Sequence, residues 1–231
     1  MKVDIITIFP EIFDFYLKQS LISKAQKKGV LGIKAHNLRD FTKDRHKAVD
    51  DKPFGGGRGM IFKVEPVLRA VSTLSNFKSQ KSNLKSKKKK TKIILFSPRG
   101  KKFTQTMATK WAMQDQLILI CGRYEAIDER VAKNIADEVI SIGDYVLMGG
   151  ELPALAVIEA IGRLLPGTVG NSESLIGERI TKAGGFVEYP QYTRPEIVEI
   201  NGKKLKVPKV LLSGNHKEIE AWRAKNSKVI L

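Results

Sequence analysis

The sequence has few of the features that mark secreted, membrane-spanning or dinucleotide-binding proteins. Its single cysteine, Cys121, excludes an intrachain disulfide and fits a reducing compartment. The first apolar run, Ile5 to Phe9, follows Asp4 and is too short for a signal peptide, and no stretch is long and uncharged enough to cross a bilayer. Neither a GxGxxG fingerprint after the first strand nor a GxxxxGK[ST] loop occurs. We therefore expect a cytoplasmic protein without a membrane span.

Acidic residues are absent from one long window of this strongly basic chain, whose net charge is +17. Between Pro66 and Gln114 there are 13 lysines and arginines and no Asp or Glu. The centre of the window, NFKSQKSNLKSKKKKTK at 76–92, holds eight lysines and is typical of a solvated, flexible loop. A mobile cluster of ammonium groups also attracts polyphosphate. Nucleic acid is favoured over membrane because no amphipathic helix with a large apolar face flanks the cluster.

Apolar runs alternate with helical periodicities along the first two thirds of the chain. Near-continuous apolar strands are expected where helices cover both faces of a parallel sheet, so the fold class is α/β. We predict an α/β domain over 1–167, a linker over 168–186 and a small C-terminal domain over 187–231, in which Asn215 caps a helix. The predicted strands are 3–9, 32–38, 92–97, 117–122 and 138–143; the predicted helices are 10–20, 20–29, 65–74, 104–114, 128–136 and 152–167.

Glycine, serine or proline follows three of the predicted strands. The segments are FSPRG at 96–100, CGRYEAIDER at 121–130 and SIGDYVLMGGELP at 141–153. Ordinary turn chemistry accounts for any one of them. Since parallel sheets bind ligands at the carboxyl ends of their strands, the three together predict a small-molecule site.

These three motifs resemble those of the bacterial tRNA (guanine-N(1))-methyltransferases, which are SPOUT-class enzymes with a trefoil knot. The resemblance runs nearly end to end and includes DIITIFPEIF, RDFTKDRHKAVDDKPFGGGRGM, EYPQYTRPE and VPKVLLSGNHKEIEAWR. It implies a parallel sheet with helices on both faces, a deep trefoil knot and a small, mainly helical C-terminal domain. It also implies S-adenosyl-methionine as methyl donor and a homodimer with a shared active site. The acceptor would be ring nitrogen 1 of the tRNA guanine just 3′ of the anticodon, and a requirement for Mg²⁺ stays open.

By similarity, the three strand-end motifs form the donor pocket. Glycines let backbone amides and carbonyls approach an adenine, and apolar neighbours supply a dry wall against the ring. For Ile142, Val146 and Leu147, plain core packing is the competing interpretation. The residues implied are Leu95, Ser97, Pro98, Gly122, Tyr124, Glu125, Ile142, Gly143, Asp144, Tyr145, Val146, Leu147, Gly149, Gly150 and Pro153.

Methylation of guanine nitrogen 1 requires a base for its proton and a cation facing the neighbouring carbonyl oxygen. Arg163, in IGRLLPG, matches the family's catalytic arginine, although a helix C-terminal arginine is the plainer interpretation. The linker position that matches the family's aspartate is Glu178, in LIGERITKAGG. Spacing favours Glu178 over its competitor Glu173 as the base.

The resemblance also implies an RNA-binding surface that draws on both ends of the chain. Two alternatives stay open: a non-catalytic RNA-binding protein that kept the fold, and another nucleotide-dependent enzyme such as a dehydrogenase. The missing dinucleotide fingerprint disfavours the latter. The residues implied for RNA binding are His46, Asp50, Arg58, Tyr192, Arg194, Asn215 and Arg223.

Overall fold

The computed structural model describes residues 1–75, 90–169, 179–180 and 186–230. Most of the lysine-rich segment 76–92 and most of the predicted linker lie outside these residues. The chain divides into two compact units, Met1–Ser172 and Glu173–Leu231. The domain limits at 167 and 186 stay a prediction.

The described residues form thirteen strands and eight α-helices. The strands are β1 (Lys2–Thr7), β2 (Gly32–Asn37), β3 (Asp50–Asp51), β4 (Ile61–Phe62), β5 (Thr91–Lys102), β6 (Gln116–Ile120), β7 (Ala126–Ile127), β8 (Glu138–Ser141), β9 (Arg179–Ile180), β10 (Phe186–Glu188), β11 (Ile197–Ile200), β12 (Lys203–Lys206) and β13 (Lys228–Ile230). The helices are α1 (Ile12–Tyr16), α2 (Ser20–Lys27), α3 (Val64–Leu74), α4 (Gln105–Ala112), α5 (Glu129–Asn134), α6 (Glu151–Gly162), α7 (Lys209–Leu212) and α8 (His216–Asn226), with a 3₁₀ turn at Leu38–Phe41.

A five-stranded parallel sheet, in the order β2-β1-β6-β5-β8, is the centre of the first unit. Side chains alternate between its faces. Leu117 and Leu119 of the central strand β6 point to one apolar cluster, and Ile118 and Ile120 point to the other. Helices α1, α2, α4 and α6 supply buried residues to the first cluster, and α3 and α5 to the second. The predicted parallel sheet with helices on both faces is confirmed.

Strand β5 leaves the regular ladder before it ends. Phe96 and Lys101 both pair with Ile140 of β8, so residues 97–100 bulge out of the sheet. Gly100 makes this possible because a Cβ there would lie 2.5 Å from the backbone of Ile140. The bulge carries Ser97, Pro98 and Arg99 beyond the carboxyl end of the sheet.

The second unit differs from the mainly helical domain that the resemblance implies. Its described residues include the hairpin β11–β12 and the antiparallel set β13-β10-β9, besides α7 and α8. Asn201 and Gly202 both have positive φ, at 50° and 73°, as a two-residue hairpin turn requires. The Asn-Gly pair after the β-prone run Ile197–Ile200 therefore accounts for the hairpin β11–β12. The predicted cap of α8 is confirmed, since the Asn215 side chain accepts a hydrogen bond from the Glu218 amide.

Candidate functional site

A pocket of about 710 Å³ opens at the carboxyl ends of β5, β6 and β8. Three segments line it: the bulge after β5, the loop after β6 and the loop between β8 and α6. Its volume falls within the usual range for small-molecule sites. The lining residues are Leu95, Phe96, Ser97, Pro98, Arg99, Gly122, Arg123, Tyr124, Glu125, Ala126, Ile127, Glu129, Ala132, Val139, Ile140, Ser141, Ile142, Tyr145, Val146, Leu147, Met148, Gly149, Gly150 and Pro153.

The loop after β6 is fixed by contacts on both sides. Tyr124 has a φ of 61°, and its ring packs edge-on against buried Phe62 at 5.5 Å. The amide of Glu125 donates a hydrogen bond to the carbonyl of Met60 at 3.2 Å. These contacts bring the glycine-dense loop before β4 next to Glu125, because Gly59 lies against its side chain. The Glu125 carboxylate therefore has a defined place at the pocket.

The loop between β8 and α6 explains why two glycines stand among apolar residues. Gly150 donates its amide to the carbonyl of Gly122 at 3.0 Å, and a Cβ on Gly150 would lie 2.6 Å from the Cα of Cys121. Backbone thus crosses backbone at this point, and only a residue without a side chain fits. At the start of the loop, the Ser141 hydroxyl donates to the carbonyl of Gly143 at 2.8 Å.

Buried polar groups lie beneath the pocket. Glu151, 1 % exposed at the start of α6, accepts a hydrogen bond from the Thr7 hydroxyl at 2.7 Å and another from Arg123 Nε at 3.0 Å. The Cys121 thiol lies among these groups, and burial raises its pKa well above the usual value, with the Glu151 charge adding to the effect. Cys121 is therefore a protonated, packed thiol and not a nucleophile.

The rim of the pocket carries exposed ion pairs. Arg99 Nη2 lies 3.0 Å from a carboxylate oxygen of Glu129, and Lys102 pairs with Asp144. Asp128 caps α5 and binds Arg130, whose hydrogen bonds hold the pKa of the Asp128 carboxyl below its usual value. Among the described residues, no three His, Cys, Asp or Glu side chains are grouped so that they could hold a metal ion.

The structure gathers most of the sequence-predicted donor residues around this one pocket. Thirteen of the fifteen line it, and the exceptions are Gly143 and Asp144, which lie in the same loop. Asp144 points to Lys102 at the rim. Arg99, Arg123 and Glu129 line the pocket without having been singled out from the sequence, although each lies inside a quoted motif. The sequence feature that could have identified them is a charged side chain within a glycine-containing strand-end motif.

Arg163, the predicted catalytic arginine, does not line the pocket of its own chain. Arg163 is the half-buried residue after α6, while Gly150 and Pro153 at the start of that helix line the pocket. Twelve helical residues separate the two ends by about 18 Å, which exceeds the reach of an arginine side chain. Glu178 and Glu173 lie outside the described residues.

The predicted RNA-binding residues lie in two separate sets, one in each unit. In the first unit, His46 and Arg58 are exposed in the loops around β3, and Asp50 belongs to that strand. In the second unit, the Tyr192 ring packs edge-on against Trp222 at 6.3 Å. The guanidinium of Arg223 lies 5.0 Å from the centre of the Tyr189 ring and pairs with Glu220, Arg194 is exposed, and Asn215 caps α8. Each unit thus presents its own candidate contact surface.

A parallel α/β sheet with a glycine-lined pocket at the carboxyl ends of its strands defines the class of a small-molecule-binding α/β protein. Comparison with known proteins goes further. The model of the tRNA (Guanine-1)-methyltransferase TrmD family matches residues 1–229, and the chain belongs to this family.

Similar curated proteins cover nearly the whole chain. The chain is 48 % identical to the tRNA (guanine-N(1)-)-methyltransferase of Ruminiclostridium cellulolyticum over 98 % of its length and 91 % of the relative. It is 47 % identical to the protein of that name from Carboxydothermus hydrogenoformans, over 98 % of the chain and 83 % of the relative. The corresponding values for Dictyoglomus turgidum are 48 %, 98 % and 85 %. None of the helices that the structure describes is long and apolar enough to cross a membrane.

Proposed function

We propose that the protein methylates ring nitrogen 1 of the guanine immediately 3′ of the anticodon in tRNA, with S-adenosyl-methionine as the methyl donor. The observation that carries the proposal is the pocket itself. The motifs that identify the family, CGRYEAIDER and SIGDYVLMGGELP, meet there although about ten residues separate them in the sequence. The name shared by the curated relatives supports tRNA as the substrate.

The residues of the pocket fit the donor. The tight backbone approach at Gly150 leaves amides and carbonyls, and not side chains, to read the edge of an adenine. Leu95, Ile142 and Leu147 offer apolar surface for the ring. Glu125 and Glu129 lend negative charge for the positive end of the donor. When bound, S-adenosyl-methionine supplies an electrophilic methyl group on a sulfonium, so the protein needs no nucleophile of its own.

The chain's own residues then have to accept the proton of guanine nitrogen 1 and stabilise the negative charge that develops on the base. Guanine nitrogen 1 becomes a nucleophile when its proton leaves, and negative charge then moves onto the carbonyl oxygen of the base. Glu178 is our candidate for accepting the proton, with Glu173 as the alternative, and Arg163 for donating hydrogen bonds to that oxygen.

The separation of Arg163 from the pocket supports a homodimer. Because about 18 Å of helix lies between them, we propose that Arg163 meets the base at the pocket of a second copy. Large apolar side chains near the pocket are exposed as an interface requires: Val146 is 82 % exposed and Met148 is 88 % exposed. We therefore propose active sites at the subunit interface, each with a pocket from one copy and an arginine from the other.

The family's deep trefoil knot is consistent with the path of the chain. The loop that leaves β8 runs back to lie beside Cys121 at the end of β6, past the bulge of β5. Such a crossing brings three strand ends into one pocket. We propose that the knot is present and that it holds these loops in place without a ligand.

Each unit offers its own candidate contacts for the substrate arm. His46, Asp50 and Arg58 from the first unit, and Tyr192, Arg194, Asn215 and Arg223 from the second, are the candidate contacts. A net charge of +17 supports a polyanionic substrate. The target base must leave its stack, which costs little in a loop. We place the reaction in the cytoplasm.

Methyl transfer to defined RNA tests the proposal. Purified protein with methyl-labelled donor should label a tRNA transcript that has guanine 3′ of the anticodon, with the label at nitrogen 1. A transcript with adenine at that position is the matched control and should stay unlabelled. Donor binding without any labelled RNA would instead favour a non-catalytic RNA-binding protein.

A further inference from the structure

The amino ends of the parallel strands form a surface for which the proposed reaction has no role so far. Lys2 of β1 is in register with Gly32 of β2 and with Gln116 of β6, so these strands begin side by side. Gln116 is in turn in register with Thr91 of β5. The pocket lies at the other end of the sheet, and the five residues of β6 put about 17 Å between the two ends. This surface is therefore separate from the pocket.

Four helices also end at this surface. Short connections lead from α2 to β2, from α4 to β6 and from α5 to β8, so the C-terminus of each helix lies beside the start of a strand. The last turn of α3 is bound there too, since the Leu74 carbonyl accepts a hydrogen bond from Gln116 Nε2 at 3.1 Å. Lysines in the last turns complement the partial negative charge of helix C-termini, which accounts for part of their placement. They are Lys24 and Lys27 in α2, Lys110 in α4 and Lys133 in α5.

The charges at this surface do not balance. Four carboxylates there each bind a lysine ammonium or a backbone amide of the fold at 2.6 to 2.9 Å, and they belong to Asp4, Asp115, Asp137 and Glu138. Four exposed lysines of the same surface have no partner among the residues that the structure describes, and we call them the basic pole: Lys24, Lys27, Lys90 and Lys110. Unpaired ammonium groups gathered at one surface repel one another and attract a polyanion.

The lysine-rich segment 76–92 is connected to the same surface at both of its ends. The chain enters the segment from Ser75, which follows α3. It returns at Lys90, whose amide donates to Asp115 Oδ2 at 2.8 Å and whose carbonyl accepts the Asp115 amide at 3.0 Å. The six lysines of 76–89, which lie outside the described residues, are therefore joined to the chain at the basic pole.

The chemistry of the basic pole suits a phosphate backbone. A lysine ammonium is a compact point charge that binds phosphate without reading the sequence of the bases. The target guanine has to enter at the pocket end of the sheet, so the phosphates beside that base lie about 17 Å or more from the basic pole. A part of the folded tRNA beyond the anticodon loop is needed to bring phosphates there.

We propose that the basic pole binds the sugar-phosphate backbone of tRNA outside the anticodon stem-loop. The inference rests on the proposed function, since it takes tRNA as the substrate. The contact adds affinity for the whole tRNA and takes no part in donor binding or in the reaction at the guanine. The protein thus holds its substrate at two ends of one sheet, with recognition of the target base at one end and non-specific electrostatic binding at the other.

Full-length tRNA and its isolated anticodon stem-loop are the two ligands that test this division. Lys27→Gln/Lys110→Gln should bind full-length tRNA about 5- to 30-fold more weakly at about 0.15 M salt. The slope of log affinity against log salt should become shallower by about 1.4 to 1.8, as expected for two lost phosphate contacts. Binding of the stem-loop should be unchanged, because the stem-loop does not extend to the basic pole. Filter binding across a salt series measures all of these values.

Two further variants separate the position of the charges from their number and from folding. Lys18→Gln/Lys34→Gln removes the same charge from exposed lysines outside the basic pole and should bind both RNAs within about twofold of the native protein. Lys27→Arg/Lys110→Arg keeps both charges and should retain native affinity and salt slope. All three variants should keep native donor binding and native kcat at saturating tRNA, and thermal denaturation checks that each is folded.

The outcomes distinguish the inference from the function on which it rests. If the native protein neither binds nor methylates either RNA, the proposed function fails. If Lys27→Gln/Lys110→Gln weakens binding of the stem-loop as much as that of full-length tRNA, the lysines act at the anticodon and the inference is wrong. An unchanged affinity and slope for full-length tRNA would also overturn it. So would an equal loss in Lys18→Gln/Lys34→Gln, because total charge and not the basic pole would then set the affinity.

Discussion

Each of the two compact units is stabilised by a different kind of interaction. In the first unit the central strand β6 is buried along its whole length, and both faces of the sheet carry apolar clusters. In the second unit, none of the side chains that the structure describes between 188 and 228 is buried. Its described residues are stabilised by local interactions, including a positive-φ turn, a helix cap and an edge-on pair of aromatic rings. A precise pocket requires the first kind of support, since packed cores fix side chains and loops within fractions of an ångström.

Substitution of one glycine by alanine in each unit should give the largest difference in stability and in donor binding. Gly150→Ala puts a methyl group 2.6 Å from the Cα of Cys121, so backbone must move at the centre of the pocket. We expect a loss of about 3 kcal/mol or more in the free energy of unfolding and no measurable donor binding. Thermal denaturation and calorimetric titration with S-adenosylhomocysteine measure both effects.

Gly202→Ala in the hairpin is the control for that substitution. Its φ of 73° makes alanine strained, but no atom lies within 4 Å of the added methyl group. The expected cost is about 1 kcal/mol with donor binding intact. Equal effects of the two substitutions would contradict the contrast between a packed and a locally supported unit.

Mixed dimers test where the arginine acts. Arg163→Met should lower kcat about 100- to 1000-fold and leave donor binding unchanged, because Arg163 lies far from the pocket of its own chain. Consider a heterodimer of an Arg163→Met subunit and a Gly149→Trp subunit, whose pocket is defective. If each site takes its pocket from one subunit and its arginine from the other, one site has an intact pocket and an intact arginine, and the other site has both defects. Methyl transfer should therefore recover to about half of the native rate per dimer.

The alternative arrangement gives a different result in the same experiment. If the pocket and Arg163 of one chain act together, every site in the heterodimer has a defect and no activity returns. Mixtures of each mutant homodimer, not allowed to exchange subunits, are the control for the recovery.

Acid should destabilise the first unit through a carboxylate at the amino-terminal end of the sheet. Burial alone raises the pKa of Asp4, but hydrogen bonds from His36, Lys2 and Gln116 outweigh it and hold the pKa below its usual value. A group with a lowered pKa contributes stability above its unfolded-state pKa, and that contribution disappears as the pH falls through the folded-state value.

Asp4→Asn is the variant that isolates this contribution. At pH 7 it should be about 3 kcal/mol less stable than the native protein, because the buried carboxylate binds His36 at 2.8 Å and Lys2 at 2.9 Å. The difference should shrink below about pH 4, the ordinary range of an aspartate pKa. Urea denaturation at neutral, mildly acidic and strongly acidic pH measures it, and a difference that is constant with pH would contradict the assignment.

The lysine-rich segment is predicted to add affinity without specificity. Deletion of residues 78–90 removes seven lysines and should weaken tRNA binding about tenfold at moderate salt. The slope of log affinity against log salt should become shallower by about 0.7 to 0.9 for each phosphate that the segment no longer neutralises. Filter binding across a salt series checks this, with donor binding as the control; an unchanged slope would reject a role in RNA binding.

The sequence was most informative where one face or both faces of an element are buried. The apolar runs 3–9, 117–122 and 138–143 predicted β1, β6 and β8 to within two residues, since strands buried on both faces are mostly apolar. The two-residue strands β3, β4 and β7 are too short to show a period. The hairpin β11–β12 does carry a sequence signal, the Asn-Gly pair, which the prediction of a mainly helical domain did not use.

More of the pocket lining than of the buried hydrogen bonds beneath it could be predicted from the sequence. The resemblance of the three strand-end motifs to those of the family predicted most of the lining. Thr7 and Glu151 are 144 residues apart, and no pattern in either motif indicates that their side chains meet. The separation of Arg163 from the start of α6, which lines the pocket, follows from the length of that helix.

The smallest effect expected is at the cap of α8, and it sharpens the contrast between the units. Asn215 is both a predicted RNA contact and the residue that caps the helix by accepting the Glu218 amide. Asn215→Ala should destabilise α8 by about 1 kcal/mol, measured by amide hydrogen exchange. Asn215→Ser keeps a capping oxygen, so it should restore the helix. If tRNA affinity returns with the cap, Asn215 acts through the helix; if affinity stays low, its side chain contacts RNA directly.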